Sequence, residues 1–201
     1  SLLLEWLEKM SQGLVPAEIE LDLAEAARSR MPPEMLDKMA LVNAEQEGTN
    51  PLASYRMCLV GGNAERGREI FRERTSVSCL RCHKVGPELT DIGRQKSRQY
   101  LLASIVAPDL HIAKGFETTV VLTDNGQVYS GIVQHEDDES LHLVVADGDP
   151  VYIAKDEIAE QTRGPSAMPV DLIPHLSQHD LRDLVEFLVQ QTGSQENADL
   201  H

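Results

Sequence analysis

Two of the three cysteines in this 201-residue chain stand in the run Cys79-Leu80-Arg81-Cys82-His83. Two thiols three residues apart fall on one face of a single helical turn, so both sulfurs can reach the two vinyl groups of one porphyrin. The next residue, His83, then comes beneath the iron, where its imidazole can be the proximal ligand. Two other readings compete. A Cys-x-x-Cys pair alone could be a redox dithiol, and two cysteines with a histidine could be three ligands of a zinc site. The dithiol reading lacks the βαβ surroundings it needs, and no second cysteine pair completes a zinc set. The run reads as the attachment site of one covalent haem c, with His83 as an iron ligand.

A second ligand is sought among soft or imidazole donors. In Arg163-Gly164-Pro165-Ser166-Ala167-Met168-Pro169 an irregular Gly/Pro loop presents one methionine shortly before the last helical pattern. Thioether sulfur is a soft ligand, and His/Met coordination raises the reduction potential. The alternative is Met168 as a gap-filler, for which a short polar loop is a poor place. The rivals are His111, His175 and His179, with Cys58 more remote. Closed, six-coordinate iron implies outer-sphere electron transfer, whereas an open site implies sensing or catalysis.

The elements around these residues must hold them. Pro87 keeps the loop after His83 extended, and its carbonyl can accept the Nδ1–H of His83 and fix the tautomer. Ser97 caps a helix through Tyr100, Leu101, Leu102 and Ile105 that stops at Pro108. Tyr100, or one of Arg94, Lys96 and Arg98, is placed to reach a haem propionate. Gly67, one turn before Phe71, permits close approach by a second helix. The partner expected is the last one, where Ser177 and Asp180 form a capping box and Leu181, Leu184, Val185 and Leu188 form an apolar stripe.

Earlier in the chain, 2–10 and 16–28 read as amphipathic helices broken at Gly13 and Pro16, and a third runs from Pro32-Pro33 to about Val42. The polar stretch 45–51 reads as a linker. Cys58, in a short helix over 52–59, reads as a small buried hydrophobe. Over 117–160 the period changes. Runs at 118–122, 128–134, 141–145 and 151–153 are β-rich, with a last strand near 157–160. Turn chemistry at Asp124-Asn125-Gly126, Asp137-Asp138-Glu139-Ser140 and Asp147-Gly148-Asp149-Pro150 separates them. His135 and His142 fall among carboxylates there without metal-ligand spacing.

The formal charge is −15, unevenly spread. The net is −5 over 1–63, +4 over 64–116, −10 over 117–160 and −4 over 161–201. So acidic a chain repels phosphate backbones, which argues against nucleic acid as a partner. The local basic excess around the cysteine run suits the pairing of haem propionates. Aromatic residues make up only 4% of the chain, a gap that a buried porphyrin would fill. No apolar stretch is long enough to span a bilayer, no signal peptide is visible, and the chain reads as a fragment of a longer one.

With Gly67-x-x-x-Phe71, Cys79-x-x-Cys82-His83, Gly86-Pro87-x-Leu89 and Met168-Pro169 in order, the chain resembles a class I cytochrome c. More narrowly, Tyr55-Arg-Met-Cys-Leu-Val-Gly-Gly-Asn63 through Gly164-Pro-Ser-Ala-Met-Pro169 resembles the planctomycete/verrucomicrobial-type haem-binding domain, over about 52–190. That resemblance implies a β insert before the methionine loop. It also implies a C-terminal place in large exported proteins, behind helical repeats and a dehydrogenase-like propeller. The insert is similar to an Sm-like or SH3-like barrel. The loop from His83 to Gly86 is shorter than is usual in that family, which implies a more exposed haem edge.

The expected fold is thus mainly α: a cytochrome c-like haem domain (49–116 and 161–193) with a small antiparallel β insert, meander or barrel (117–160). A helical extension (1–48) precedes it and a tail (194–201) follows. The expected function is electron transfer rather than catalysis. Electrons would pass from a dehydrogenase, fused in the parent protein, to a respiratory acceptor in the periplasm or another exported compartment. The alternative is a gas-sensing or peroxidase domain with an open or displaceable distal site. A weaker third reading makes the acidic insert a protein-docking module.

Overall fold

The structure is a computed structural model, and it describes residues 2–33, 50–83, 88–145 and 149–193. The helix expected from Pro32-Pro33 to Val42, most of the linker at 45–51, Pro87 and the tail lie outside these residues or at their margin. The chain divides into two compact units, one comprising 1–107 with 171–201 and the other 108–170.

The first unit is helical. Helices α1 (Leu2–Ser11) and α2 (Ala17–Arg28) come first, and α2 buries Leu21, Ala24 and Ala27. A 3₁₀ turn, Ala53–Cys58, holds the fully buried Cys58. Then follow α3 (Ala64–Glu73), α4 (Cys79–His83), α5 (Ile92–Gln95), α6 (Arg98–Val106) and, last in the chain, α7 (Gln178–Val189). Three caps are supplied by the sequence as polar chemistry requires. The side chains of Asn63, Ser97 and Ser177 accept from the backbone N–H of Arg66, Tyr100 and Asp180, and Asp180 returns a bond to the Ser177 N–H.

Helix α7 is the centre of this unit. It buries Leu181, Leu184, Val185, Phe187 and Leu188. At about 1.5–3 kcal/mol for each large side chain, that stripe outweighs a cap of about 1 kcal/mol. The caps decide where α7 begins, while the stripe decides what it packs on. Its principal neighbour is α3, and the contact passes over Gly67, where a Cβ would stand 2.1 Å from the Asp183 carbonyl oxygen. No side chain larger than hydrogen fits between the two backbones.

The second unit is a five-stranded antiparallel sheet in the order β4-β3-β2-β1-β5. Its strands are β1 (Glu117–Thr123), β2 (Val128–Glu136), β3 (Ser140–Val144), β4 (Val151–Ala154) and β5 (Ile158–Ser166). Strands β1 to β4 form a meander, and β5 returns beside β1 with Val120 opposite Thr162. Alternation sends Val121, Leu141, Leu143 and Ile153 to one side, where Tyr129, Val133, Val151 and Ile158 complete an apolar core.

The sheet corrects the expected mainly-α, cytochrome c-like fold. The β segment lies between two stretches of the helical unit, as expected, but it is an independent unit of the fold rather than an appendage of a mainly-α one. It has five strands and a core of its own, and the described residues combine a helical unit with an all-β one. The physical reason is that alternation on five paired strands buries enough apolar surface to make a separate layer. The last strand also runs further than expected, to Ser166, so that 163–166 are strand rather than irregular loop. Gly164 and Pro165 are compatible with that. Gly164 lies where a Cβ would stand 2.3 Å from Thr118 Oγ1, and β5 is an edge strand, where proline is tolerated.

Candidate cofactor-attachment site

The Cys79–His83 run forms α4, a helix of five residues. The chain reaches it through a tight turn after α3. The N–H groups of Val77 and Ser78 both donate to the Arg74 carbonyl, and Ser78 takes a left-handed φ of 45°. The Ser78 hydroxyl donates to the Thr75 carbonyl at 2.6 Å, which holds that unfavourable conformation in place. Ser78 then accepts the Arg81 N–H at 3.0 Å and opens the helical turn.

Both cysteines are free thiols. Cys79 is half-buried and Cys82 exposed. Burial pushes the Cys79 thiol above its usual range, only partly opposed by a backbone hydrogen bond and by the charge of Arg74. The thiols are one turn apart on a single helix and neither is committed to a disulfide. This donor pair, followed directly by an imidazole, fits two-point thioether attachment of a porphyrin.

His83 is half-buried, with its ring centroid 5.9 Å from that of Phe71 and the planes inclined at 34°. Phe71 in turn meets Phe187 of α7 at 5.4 Å. The imidazole therefore stands at the end of a row of rings that begins in the core. The position of Phe71 depends on how closely α3 approaches α7, and hence on Gly67. Sequence reasoning placed Phe71 only as a packing residue. The signal available was its spacing of twelve residues before His83, which says nothing without the intervening turn.

Arg74 closes the same corner. Its guanidinium meets the Asp180 carboxylate at 2.8 and 2.9 Å, which raises the arginine further, and ties the end of α3 to the start of α7. A cleft of about 250 Å³ beside α4 is lined by Arg72, Arg74, Arg81 and Glu73. Among the described residues, no three His, Cys, Asp or Glu side chains converge as a metal cage.

The other candidate residues lie in varied settings. Met168 follows β5, is half-buried, and donates its N–H to Ser166 Oγ at 3.1 Å. Pro87 lies outside the described residues. Tyr100 sits in the first turn of α6 with the Lys96 ammonium 4.5 Å from its ring centre. Arg94 is exposed, with its Nη1 3.4 Å from the Thr192 carbonyl and its Nε 3.8 Å from Asp91. Arg98 is bound to Glu186 at 2.7 Å and to the Leu59 carbonyl at 2.9 Å. Of the rival ligands, His111 and His175 are exposed. His179 has Nε2 3.0 Å from Asp22 and Nδ1 3.2 Å from Glu25, so both ring nitrogens are engaged by α2.

In the β unit, His135 pairs with His142 across β2 and β3, and His142 meets Tyr152 edge-on at 4.4 Å. His135 bonds Asp137 at 3.1 Å, and the N–H groups of Glu139 and Ser140 hold the Asp137 carboxyl down to about 2. These contacts make a turn and a cross-strand ring row.

No family model matches the chain, and no curated protein does. Among the described residues, no helix is long and apolar enough to cross a membrane.

Proposed function

We propose that the chain is the electron-transfer part of a c-type haem protein. The observation that carries this reading is α4 itself, where two free thiols one turn apart are followed by an imidazole backed by Phe71. Cys79 and Cys82 would hold the porphyrin through thioethers to its two vinyl groups. His83 would supply nitrogen to the iron, and Phe71, packed against its ring, limits the rotation of that ring. Met168 would offer a thioether sulfur as the second ligand, its backbone N–H being occupied by Ser166. Bound haem supplies one-electron exchange between ferric and ferrous iron.

With His83 and Met168 both held to the iron, bound haem would exchange electrons without taking up a substrate. The chain then acts as a carrier between a dehydrogenase, fused or separate, and a respiratory acceptor. Covalent attachment occurs on the exported side of bacterial membranes, which makes the periplasm the expected compartment. The resemblance to the planctomycete/verrucomicrobial-type haem-binding domain supports the same reading on its motif residues.

The test is expression in a host able to attach haem, followed by mass and visible spectra. A mass increased by one haem, a ferric Met-to-iron charge-transfer band and no carbon monoxide binding when reduced are the expected results. Met168→Ala should lose the band and gain carbon monoxide binding. A colourless chain of bare polypeptide mass refutes haem attachment. A wild-type protein that binds carbon monoxide at once refutes only the closed site and favours sensing or peroxidase chemistry.

A further inference from the structure

His135 and His142 stand seven residues apart, too far for one turn of chain to join them. The register of β2 and β3 sets them opposite each other, with ring centres 5.3 Å apart and planes inclined at 57°. Their Nε2 atoms are turned towards one carboxylate. His135 Nε2 lies 3.1 Å from Asp137 Oδ2, and His142 Nε2 lies 3.1 Å from Ser140 Oγ. The Ser140 hydroxyl in turn donates to Asp137 Oδ1 at 3.3 Å. Tyr152 stands edge-on to His142 at 4.4 Å and limits the turning of that ring.

We propose that His135 and His142 form a zinc site, with water in the remaining positions and every protein ligand in the β unit. Zinc takes an imidazole nitrogen at about 2.0–2.1 Å and the ring centre lies about 1.1 Å beyond it, which puts each centre about 3.2 Å from the metal. At a tetrahedral angle, two such rings have centres about 5.2 Å apart. The 5.3 Å found here meets that value, whereas the right angle of a square-planar ion asks for about 4.5 Å. Asp137 serves the site without binding the ion. The N–H groups of Glu139 and Ser140 hold its carboxyl down to about 2, so it is ionised at neutral pH. It is placed to accept from a zinc-bound water, in keeping with two protein ligands rather than a cage of three. Residues 117–160 carry a net of −10, which raises the local concentration of cations. Lys155, the one Lys or Arg among them, is paired with Glu136. On binding, the ion gives up two waters, each ring carries its hydrogen on Nδ1, and no electron moves. The bound ion ties β2 to β3 beside their turn and stabilises the β unit by mass action.

The test uses the full chain carrying Cys79→Ser and Cys82→Ser, so that thiolates do not take the metal. It is titrated with Zn(II) while the imidazole resonances are followed. Those of His135 and His142 should shift together and saturate at one equivalent, while those of His111, His175 and His179 should stay. His135→Gln should abolish the shared shift. His142→Phe should do so too, although it keeps a ring against Tyr152, and an unchanged amide spectrum away from this turn shows that the fold is intact. Asp137→Asn should weaken binding about tenfold. A response from one ring only, zinc binding that survives His142→Phe, or equal shifts with Mg(II) or Ca(II) overturns the proposal, the last by making the turn a general collector of cations.

Discussion

Gly67→Ala tests the packing on which the candidate site stands, because two effects of opposite sign compete there. Gly67 lies inside α3, and replacing a helix-interior glycine with alanine ordinarily stabilises by about 1 kcal/mol. Here the new methyl would stand 2.1 Å from the Asp183 carbonyl oxygen, 2.6 Å from its carbon and 2.7 Å from Phe187 Cβ. Ordinary contact begins about 1 Å further out, and two of the three atoms are helix backbone. The helices must therefore separate, and overpacking of this kind costs about 1–3 kcal/mol before the propensity gain is recovered. Separation also pulls Phe71 away from Phe187, with the loss of part of an aromatic contact of about 0.5–1.5 kcal/mol. The expected net is a destabilisation of about 0.5–2.5 kcal/mol, read as a lower midpoint in urea or guanidinium at unchanged slope. Because Phe71 also flanks His83, the haem-loaded variant should show a shifted iron-ligand spectrum. A Gly67→Ala chain as stable as the wild type, or more stable, would refute the close α3–α7 approach and the ring row built on it.

Two further predictions concern charge and thiols. Burial raises Asp180, but hydrogen bonds from Arg74 and Ser177 outweigh it and bring the carboxyl down to about 2 from 3.8. A depressed folded value contributes stability that is present above the unfolded value and lost as the pH falls from about 4 towards 2. Asp180→Asn should therefore lower stability near neutrality by about 1–2 kcal/mol and flatten this part of the acid limb, as followed by denaturation at several pH values. Cys58 is 0% exposed, and burial pushes its thiol up to about 12. A thiol reagent on the haem-free chain should modify Cys82 first, Cys79 more slowly and Cys58 only on unfolding. Peptide mapping that finds Cys58 labelled early would contradict its place in the core.

What the sequence determined by itself was whatever one turn of chain decides. Cys79, Cys82 and His83 are close because three and four residues make a helical turn, and Ser177 with Asp180 cap α7 for the same reason. Ser97 at the start of α6 and the acidic turns of the β unit were legible on the same local grounds. The strands were visible as alternation, but their weight in the fold was not. Alternation says which face of a strand is apolar, and does not say that β5 returns to pair with β1 and completes an independent layer. Nor could spacing put Arg74 on Asp180, Phe71 on Phe187 or His179 between Asp22 and Glu25, pairs drawn from distant parts of the chain. Those contacts depend on which apolar surfaces bury each other, a property of the whole folded chain. The chemistry on α4 and the basic sign of its neighbourhood were thus written locally, while the aromatic backing of His83 came only with tertiary packing.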